Sequence, residues 1–275
     1  MRHTWWRNRV RHRWRRIDVP VAVAVIAVGL LLSACGSGGA GSEPSSGPPA
    51  LTKVLSLDFE KAAGSLDTGA RIGSAMADGP GGKVELGGAK QQPLRLVSGR
   101  NKQGHGVAFP SPCPPSVTAT CPKAIIQVDD DASLDPGPAD YEWGASVLLE
   151  AGETSKGSNI IQKGFSVGGG SQWKLQVDGV NGHPSCVVVG QGESTIHDVY
   201  ADVTIADGTW HDVSCHREAG KLVISVDGRK RGSAAIPKDL TISPAGPMRI
   251  GGKSLKPNND QFFGTLDDVY VSTAR

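Results

Sequence analysis

Apolar and polar residues alternate along short segments of this chain, the pattern of strands with one buried face. Segments 54–60, 142–150, 172–178 and 221–227 each place an apolar side chain at every second position. Gly, Pro, Asn and Asp separate these segments, as expected at strand ends. The helical period is nearly absent, so the crossover helices of a parallel sheet are missing. The pattern therefore predicts an all-β fold, a two-sheet antiparallel sandwich.

Two of these segments define the expected faces most clearly. In segment 172–178 we expect Trp173, Leu175 and Val177 to point inward, and the four polar residues between them to point outward. Segment 221–227 buries Leu222, Ile224 and Val226 and ends on the turn Asp227-Gly228.

The first 34 residues have a different composition. Seven arginines precede a run of about 14 apolar residues, and the run ends in Leu-Ser-Ala-Cys at Cys35. This order is typical of a secretory signal peptide, and its last four residues resemble the lipobox of bacterial lipoproteins, whose cysteine is acylated and becomes the new N-terminus. An uncleaved membrane anchor is the alternative, but a spanning helix needs roughly 20 apolar residues. We expect a signal peptide over 1–34, lipidation of Cys35, and a bacterial cell-membrane location facing outward, or secretion where the anchor is not used.

Residues 35–53 contain the cysteine and a Gly/Ser/Pro-rich stretch that is too poor in apolar residues to form a core. We expect a flexible linker there. The strand-like segments fill the chain from residue 54 to residue 272, which predicts one globular domain over that range.

Removal of the leader changes the charge balance. The whole chain has 29 Lys+Arg and 27 Asp+Glu, and loss of seven arginines and Asp18 turns a net charge of +2 into −4. Nucleic-acid binding needs a basic domain with a clustered basic face. No nucleic-acid partner is therefore expected.

Four cysteines remain after Cys35, and an even number in an exported chain predicts two disulfides. Three pairings are open. Cys113 and Cys121 flank a tight Pro-rich loop, while Cys186 and Cys215 lie in strand-like segments, so these two pairs are favoured. Free buried thiols are the alternative, and a zinc site has less support because no C-x-x-C pair occurs.

Several motifs resemble the laminin-G-like domains of the concanavalin A-like lectin/glucanase superfamily, over roughly residues 54–272. The strongest are D-G-T-W-H-D-V at 207–213, V-D-G at 226–228 and F-G-T-L-D-D-V at 263–269. The resemblance implies a jelly-roll sandwich. It leaves the ligand open, because the superfamily includes lectins, hydrolases, lyases and adhesion modules.

Catalysis on this fold requires two carboxylates that face each other across the scissile bond. Their sequence sign is a run of alternating acids on one strand, and no such run occurs. Glu142 and Glu150 are too far apart to form the pair. We therefore expect no catalytic residues, although carboxylates from different strands remain an open alternative.

One metal ligand is proposed from the sequence. Period two places Asp267 on the same face as Val269 and Val271, and a carboxylate on an apolar face needs a cation or hydrogen-bond donors. The resemblance implies a structural Ca²⁺ near this C-terminal strand, with Asp267 as a ligand. The alternative is a carboxylate that accepts backbone N–H groups. Asp129–Asp131 and Asp135 are expected to form a solvated turn rather than a calcium loop.

Other candidate side chains are expected to be mainly structural. His211 is predicted to be packed with one hydrogen bond. The tryptophans of the domain are predicted to lie in the core, and four aromatic residues near turns are the candidate sugar contacts. The segment 256–262 is either a glycan-contacting loop or a plain surface loop. The predicted core tryptophans are Trp143, Trp173 and Trp210, and the candidate sugar-contacting aromatics near turns are Tyr141, Tyr200, Phe262 and Phe263.

These observations predict a surface-anchored, non-catalytic binding module for carbohydrate or for an extracellular or envelope protein. A secreted polysaccharide hydrolase or lyase on the same fold is the alternative, and a purely structural envelope component is a third. The enzyme needs two cleft-facing carboxylates about 5–10 Å apart, whereas the binding module needs a shallow face of amides and aromatics.

Overall fold

The computed structural model describes residues 50–114, 120–155 and 157–274. The predicted signal peptide and Cys35 lie outside the described residues, as does nearly all of the predicted linker. Within the described part, no helix has the length and apolar character needed to cross a bilayer. The described residues belong to one compact unit bounded at residues 46 and 275.

The described chain is almost entirely strands and turns, with only three short 3-10 turns. Its sixteen strands are β1 Leu51–Leu57, β2 Arg71–Ile72, β3 Gly82–Gly87, β4 Arg95–Ser98, β5 His105–Ala108, β6 Lys123–Val128, β7 Tyr141–Leu148, β8 Ser158–Gly164, β9 Gln172–Asp178, β10 His183–Val189, β11 His197–Tyr200, β12 Trp210–Glu218, β13 Lys221–Val226, β14 Arg229–Ala235, β15 Met248–Ile250 and β16 Thr265–Ala274.

The strands form two eight-stranded sheets. The first sheet has the order β14-β13-β12-β7-β16-β5-β4, with β1 also paired to β16. The second has the order β11-β10-β9-β8-β15-β6-β3-β2. Every strand pair is antiparallel, as in β7 with β16 and β8 with β9. The predicted all-β antiparallel sandwich is confirmed.

The alternating segments become strands because each buries one face in the core between the sheets. Strand β9 coincides with the predicted segment, and Trp173, Leu175 and Val177 are fully buried. Trp173 meets Trp143 of the first sheet with ring centroids 5.7 Å apart. The predicted turn at Asp227-Gly228 has positive φ at both residues (53° and 70°), the geometry of a tight hairpin.

Both favoured cysteine pairs are disulfides in the structure. Cys186 of β10 is bonded to Cys215 of β12, with Cα atoms 5.7 Å apart, and so joins the two sheets across the core. Cys113 and Cys121 close the short loop. The alternative of free buried thiols at these four positions is therefore wrong.

The predicted face of Asp267 is wrong because β16 contains a bulge. Asp267 pairs with Ser146 and Tyr270 with Gly144, so three steps on β16 match two on β7. Asp268 has φ 47° at this point. The extra residue reverses the alternation, and Asp267 lies on the opposite face from Val269 and Val271.

Candidate functional site

The outer face of the second sheet carries a line of alternating cations and amides. The register pairs Lys83 of β3 with Gln127 of β6, Gln127 with Arg249 of β15, Arg249 with Gln162 of β8, and Gln162 with Lys174 of β9. We name these five residues the cation–amide row, and the surface that carries them the site face. Their chain neighbours Val84, Ile126, Ile250, Ile161 and Leu175 point into the core.

Gln162 forms the floor of the site face. Its side chain is only 3% exposed and is held at both ends. Asn159 Nδ2 donates to Gln162 Oε1 at 2.5 Å, and Gln162 Nε2 donates to the Gly164 carbonyl at 2.7 Å. The amide is therefore fixed in one orientation beneath the two cations that flank it.

Arg249 stands beside the exposed aromatic ring of this face. Its guanidinium lies 5.8 Å from the ring centroid of Phe165, which is 41% exposed. Burial lowers the pKa of Arg249 and of Lys174, although neighbouring carboxylates oppose the shift in both. Partial desolvation of this kind strengthens any contact that these cations make with an anion.

The loop between β15 and β16 forms one wall of the site face. Gln261 fixes this loop to β6, because its Oε1 accepts from Ala124 N and its Nε2 donates to Ala124 O, both at 3.0 Å. Lys253 Nζ donates to Asp260 Oδ2 at 2.8 Å. The loop and the sheet enclose an open cavity of about 500 Å³ lined by Phe165, Arg249, Lys253, Ser254, Lys256 and Asn258.

The outer face of the first sheet holds a second depression, of about 410 Å³. We name it the carboxylate face, after its lining residues Glu142, Asp212 and Asp268. Ser146 Oγ donates to Asp212 Oδ1 at 2.8 Å and lies 3.5 Å from Asp268 Oδ2. Two carboxylates from different strands therefore meet at one hydroxyl, as the open enzymatic alternative requires, but Arg100 is ion-paired with Asp212.

Tyr270 fills the middle of the carboxylate face. Its hydroxyl donates to Glu142 Oε1 at 2.6 Å, and Lys53 Nζ lies 5.4 Å from the ring centroid. A side chain at Gly144 would come within 2.9 Å of the ring and 2.6 Å of the Val213 carbonyl. The absence of a side chain at residue 144 is what lets the ring lie against the sheet.

Asp267 lies at the edge of the carboxylate face and is 5% exposed. Oδ2 accepts from Arg100 N at 3.0 Å and Oδ1 from Asp268 N at 2.8 Å. Burial raises the pKa of Asp267 to about 6. This arrangement matches the alternative to a calcium ligand, a carboxylate that accepts hydrogen bonds from backbone N–H groups. The described ranges contain no group of three His, Cys, Asp or Glu side chains that could hold a metal ion.

His211 has more partners than the single one predicted. Nδ1 lies 2.8 Å from Asp227 Oδ2, and Nε2 lies 3.2 Å from Asp207 Oδ1 and from Thr209 Oγ1. Burial opposes protonation of this ring, but the hydrogen bonds to both carboxylates outweigh it and raise the pKa of His211. Asp207 of the motif and Asp227, which follows β13, thus bind the His211 ring from both sides at one end of the β12–β13 hairpin.

The acidic segment after β6 is also more than a solvated turn. Lys163, whose side chain is fully buried, lies 2.9 Å from Asp130 and 2.5 Å from Asp135. It also donates to the Pro244 carbonyl at 2.7 Å. The segment is therefore anchored by a buried cation that the sequence analysis did not identify.

The aromatic predictions are partly right. Trp143 and Trp173 are core residues, whereas Trp210 is only half-buried. Tyr141 and Phe262 are fully buried, so neither contacts a ligand. Tyr200 is 51% exposed, and its partner across the strands, Ser185, lies on the site face. Phe165 was missed because it follows a strand end and carries no periodic signal.

The fold places the chain in a known class of two-sheet jelly-roll proteins. Residues 142–274 match the family model described as the concanavalin A-like lectin/glucanases superfamily. The resemblance deduced from the motifs is confirmed over that segment, which is similar to the laminin-G-type domains of this superfamily. No curated protein sequence matches the chain significantly.

Solved structures show the same fold at low sequence identity. Domain 4 of AbnA, a GH43 extracellular arabinanase from Geobacillus stearothermophilus in complex with arabinotriose, has 14% identity and a TM-score of 0.57, covering 82% of this chain and 93% of that domain. The binding domain of Paraclostridial Mosquitocidal Protein 1 has 14% identity and a TM-score of 0.55, covering 81% and 49%. The binding domain of Botulinum Neurotoxin DC in complex with SialylT has 13% identity and a TM-score of 0.53, covering 80% and 47%. This chain spans about half the length of those toxin binding domains.

Proposed function

We propose that this protein is a non-catalytic binding module that holds a carbohydrate on the site face. The observation that carries the proposal is the cation–amide row beside the exposed ring of Phe165. The three cations, the partly exposed amide of Gln127 and the exposed ring of Phe165 supply the hydrogen bonds and the apolar platform on which sugar hydroxyls and ring faces dock. The well-anchored loop 251–262 keeps this surface in place before a ligand arrives.

The structural neighbours support a binding role. One is described in complex with arabinotriose and another in complex with SialylT. A further toxin binding domain of the same fold is described in complex with rat synaptotagmin II. An extracellular or envelope protein ligand is therefore the second candidate for the same face.

A polysaccharide hydrolase or lyase has less support. Glycoside hydrolysis needs one protonated acid and one free carboxylate across a shared cleft. On the carboxylate face, Asp212 is bound by Arg100 and Ser146, and Glu142 accepts from Tyr270. Asp267 has the raised pKa of a general acid, but it is buried and both of its oxygens accept backbone N–H groups.

The predicted setting completes the proposal. A signal peptide over 1–34 and lipidation of Cys35 would display the module outside a bacterial cell membrane on the 35–53 linker. A structural Ca²⁺ at Asp267 remains a prediction. It requires the carboxylate to exchange at least one backbone N–H for the ion.

A glycan-array screen tests the proposal. The protein, with both disulfides formed, is applied with calcium and with chelator. The expected result is binding to a defined set of glycans that is lost in Phe165→Ala and kept in Val180→Ala, an exposed apolar residue in the β9–β10 turn. Silence under both conditions, in a protein that retains its melting transition, would reject carbohydrate as the ligand.

A further inference from the structure

We infer that the ligand of the site face is an acidic glycan, whose carboxylate or sulfate groups contact the three cations of the cation–amide row. This inference rests on the proposed carbohydrate-binding function and adds the charge class of the sugar. It starts from the line of three cations on this face, in a chain whose residues 35–275 contain 22 Lys+Arg and 26 Asp+Glu.

The three cations of the row form no ion pair with any carboxylate of the described residues. Among the residues that the structure describes, no carboxylate oxygen lies within 4.0 Å of a side-chain nitrogen of Lys83, Arg249 or Lys174. The nearby Asp260 is already bound by Lys253. Arg249 and Lys174 are partly buried and Lys83 is exposed. The nearest carboxylates, Glu85 for Arg249 and Asp260 and Asp178 for Lys174, act only at longer range. Each cation can therefore contact an external anion directly.

The cations are evenly spaced across the strands. Lys83 and Arg249 are two strands apart, and so are Arg249 and Lys174. Neighbouring strands lie about 4.8 Å apart, so successive cations are about 10 Å apart and the whole row spans about 19 Å. A linear sugar chain with repeated acidic groups, lying across the strands, would meet all three cations in turn.

The cavity beside the row has the same charge. Arg249, Lys253 and Lys256 line it with Phe165, Ser254 and Asn258, and no carboxylate belongs to the lining. Arg249 Nη1 donates to the Pro247 carbonyl at 3.4 Å, and the other N–H groups of the guanidinium can meet an anion while the Phe165 ring offers an apolar surface. An acidic sugar presents both features in one residue, a charged group and an apolar ring face.

The test measures affinity for polygalacturonate, dextran sulfate and uncharged dextran by isothermal titration calorimetry. We use residues 46–275, because this unit contains the described sandwich without the arginine-rich leader. We expect binding to at least one charged polymer and none to dextran. The carboxylated and sulfated polymers distinguish the two sources of negative charge.

Variants locate the site. Arg249→Gln should weaken binding about tenfold or more, the equivalent of one lost charge-assisted hydrogen bond. Lys83→Gln, at an exposed side chain whose loss leaves the packing intact, should weaken it several-fold. The matched control is Lys230→Gln on β14, an exposed lysine on the outer face of the first sheet, which should stay within about twofold of the wild type.

The outcomes separate this inference from the proposed function. Equal losses in Lys230→Gln and Lys83→Gln would mean diffuse charge attraction and overturn the acidic-glycan inference. Binding to neutral glycans alone, unaffected by Arg249→Gln, would overturn it as well, while the carbohydrate-binding function would stand. Failure of the folded protein to bind charged polymers or any neutral glycan of the array would reject both.

Discussion

The two outer faces of the sandwich use similar residues in opposite ways. On the carboxylate face, Asp212 is paired with Arg100 and Glu142 with Tyr270, so its polar groups satisfy each other. On the site face, the Gln162 amide is fixed internally, but Lys83 and Arg249 have no carboxylate within ion-pairing distance among the described residues. The volumes of the two depressions are comparable, about 410 and 500 Å³. Volume therefore does not distinguish the two faces, whereas the cations without an ion pair on the site face do.

The strongest test of the comparison removes the link between the sheets. Cys186→Ser should lower the free energy of unfolding by about 3.5 kcal/mol, the chain-entropy value for a loop of this length. Cys215→Ser should cost the same, and the double variant no more than either single one. Thermal and denaturant unfolding measure this. Because the link is common to both sheets, both faces should lose structure in one transition, and clearly additive losses would contradict the shared bond.

The next largest effect belongs to the carboxylate face alone. Gly144→Ala forces a methyl group towards the Val213 carbonyl and the Tyr270 ring, so we expect a loss of about 1–3 kcal/mol. Gly152→Ala, where nothing lies within 4 Å, is the matched control and should be nearly neutral. Glycan binding, measured well below the melting temperature, should be unchanged in both variants. Loss of binding in Gly144→Ala would show that the faces are coupled.

A pair of conservative variants compares matched with unmatched polar groups. Tyr270→Phe removes the hydroxyl that donates to Glu142 and should cost about 1 kcal/mol. Lys83→Gln on the site face should change stability by less than about 0.5 kcal/mol, since it breaks no ion pair. Chemical denaturation resolves the two values. A larger cost for Lys83→Gln than for Tyr270→Phe would reverse the assignment of structural and functional faces.

The smallest expected effect is a pH dependence at the β12–β13 hairpin, next to the carboxylate face. Because the pKa of His211 is raised in the folded state, its stabilising contribution is complete below its ordinary pKa, about 6.5, and is lost as the pH rises through the folded value. The melting temperature of His211→Gln should therefore lie furthest below the wild type near pH 5.5 and approach it at pH 8–9. A constant difference across that range would argue against ion pairs between His211 and the carboxylates of Asp207 and Asp227.

The sequence predicts the strands well because alternation is a local property. Trp173, Leu175 and Val177 were placed correctly from period two alone. Asp267 was not, because a bulge depends on the partner strand as well as on the strand itself. The cation–amide row could not be predicted from the sequence for the same reason. Residues 83, 127, 249, 162 and 174 become neighbours only through the strand order, and no local signal encodes that order.

The position of the last strand has a consequence for how the protein is made. Strand β16 lies between β7 and β5 in the first sheet and also pairs with β1, so residues near both ends of the described chain meet there. Until residues 265–274 have left the ribosome, β7 and β5 lack the strand that pairs with both of them, so the two parts of the first sheet cannot join. Pairings between strands so distant in sequence form slowly. A nascent chain with this topology therefore cannot complete the first sheet before its last described strand has been synthesised.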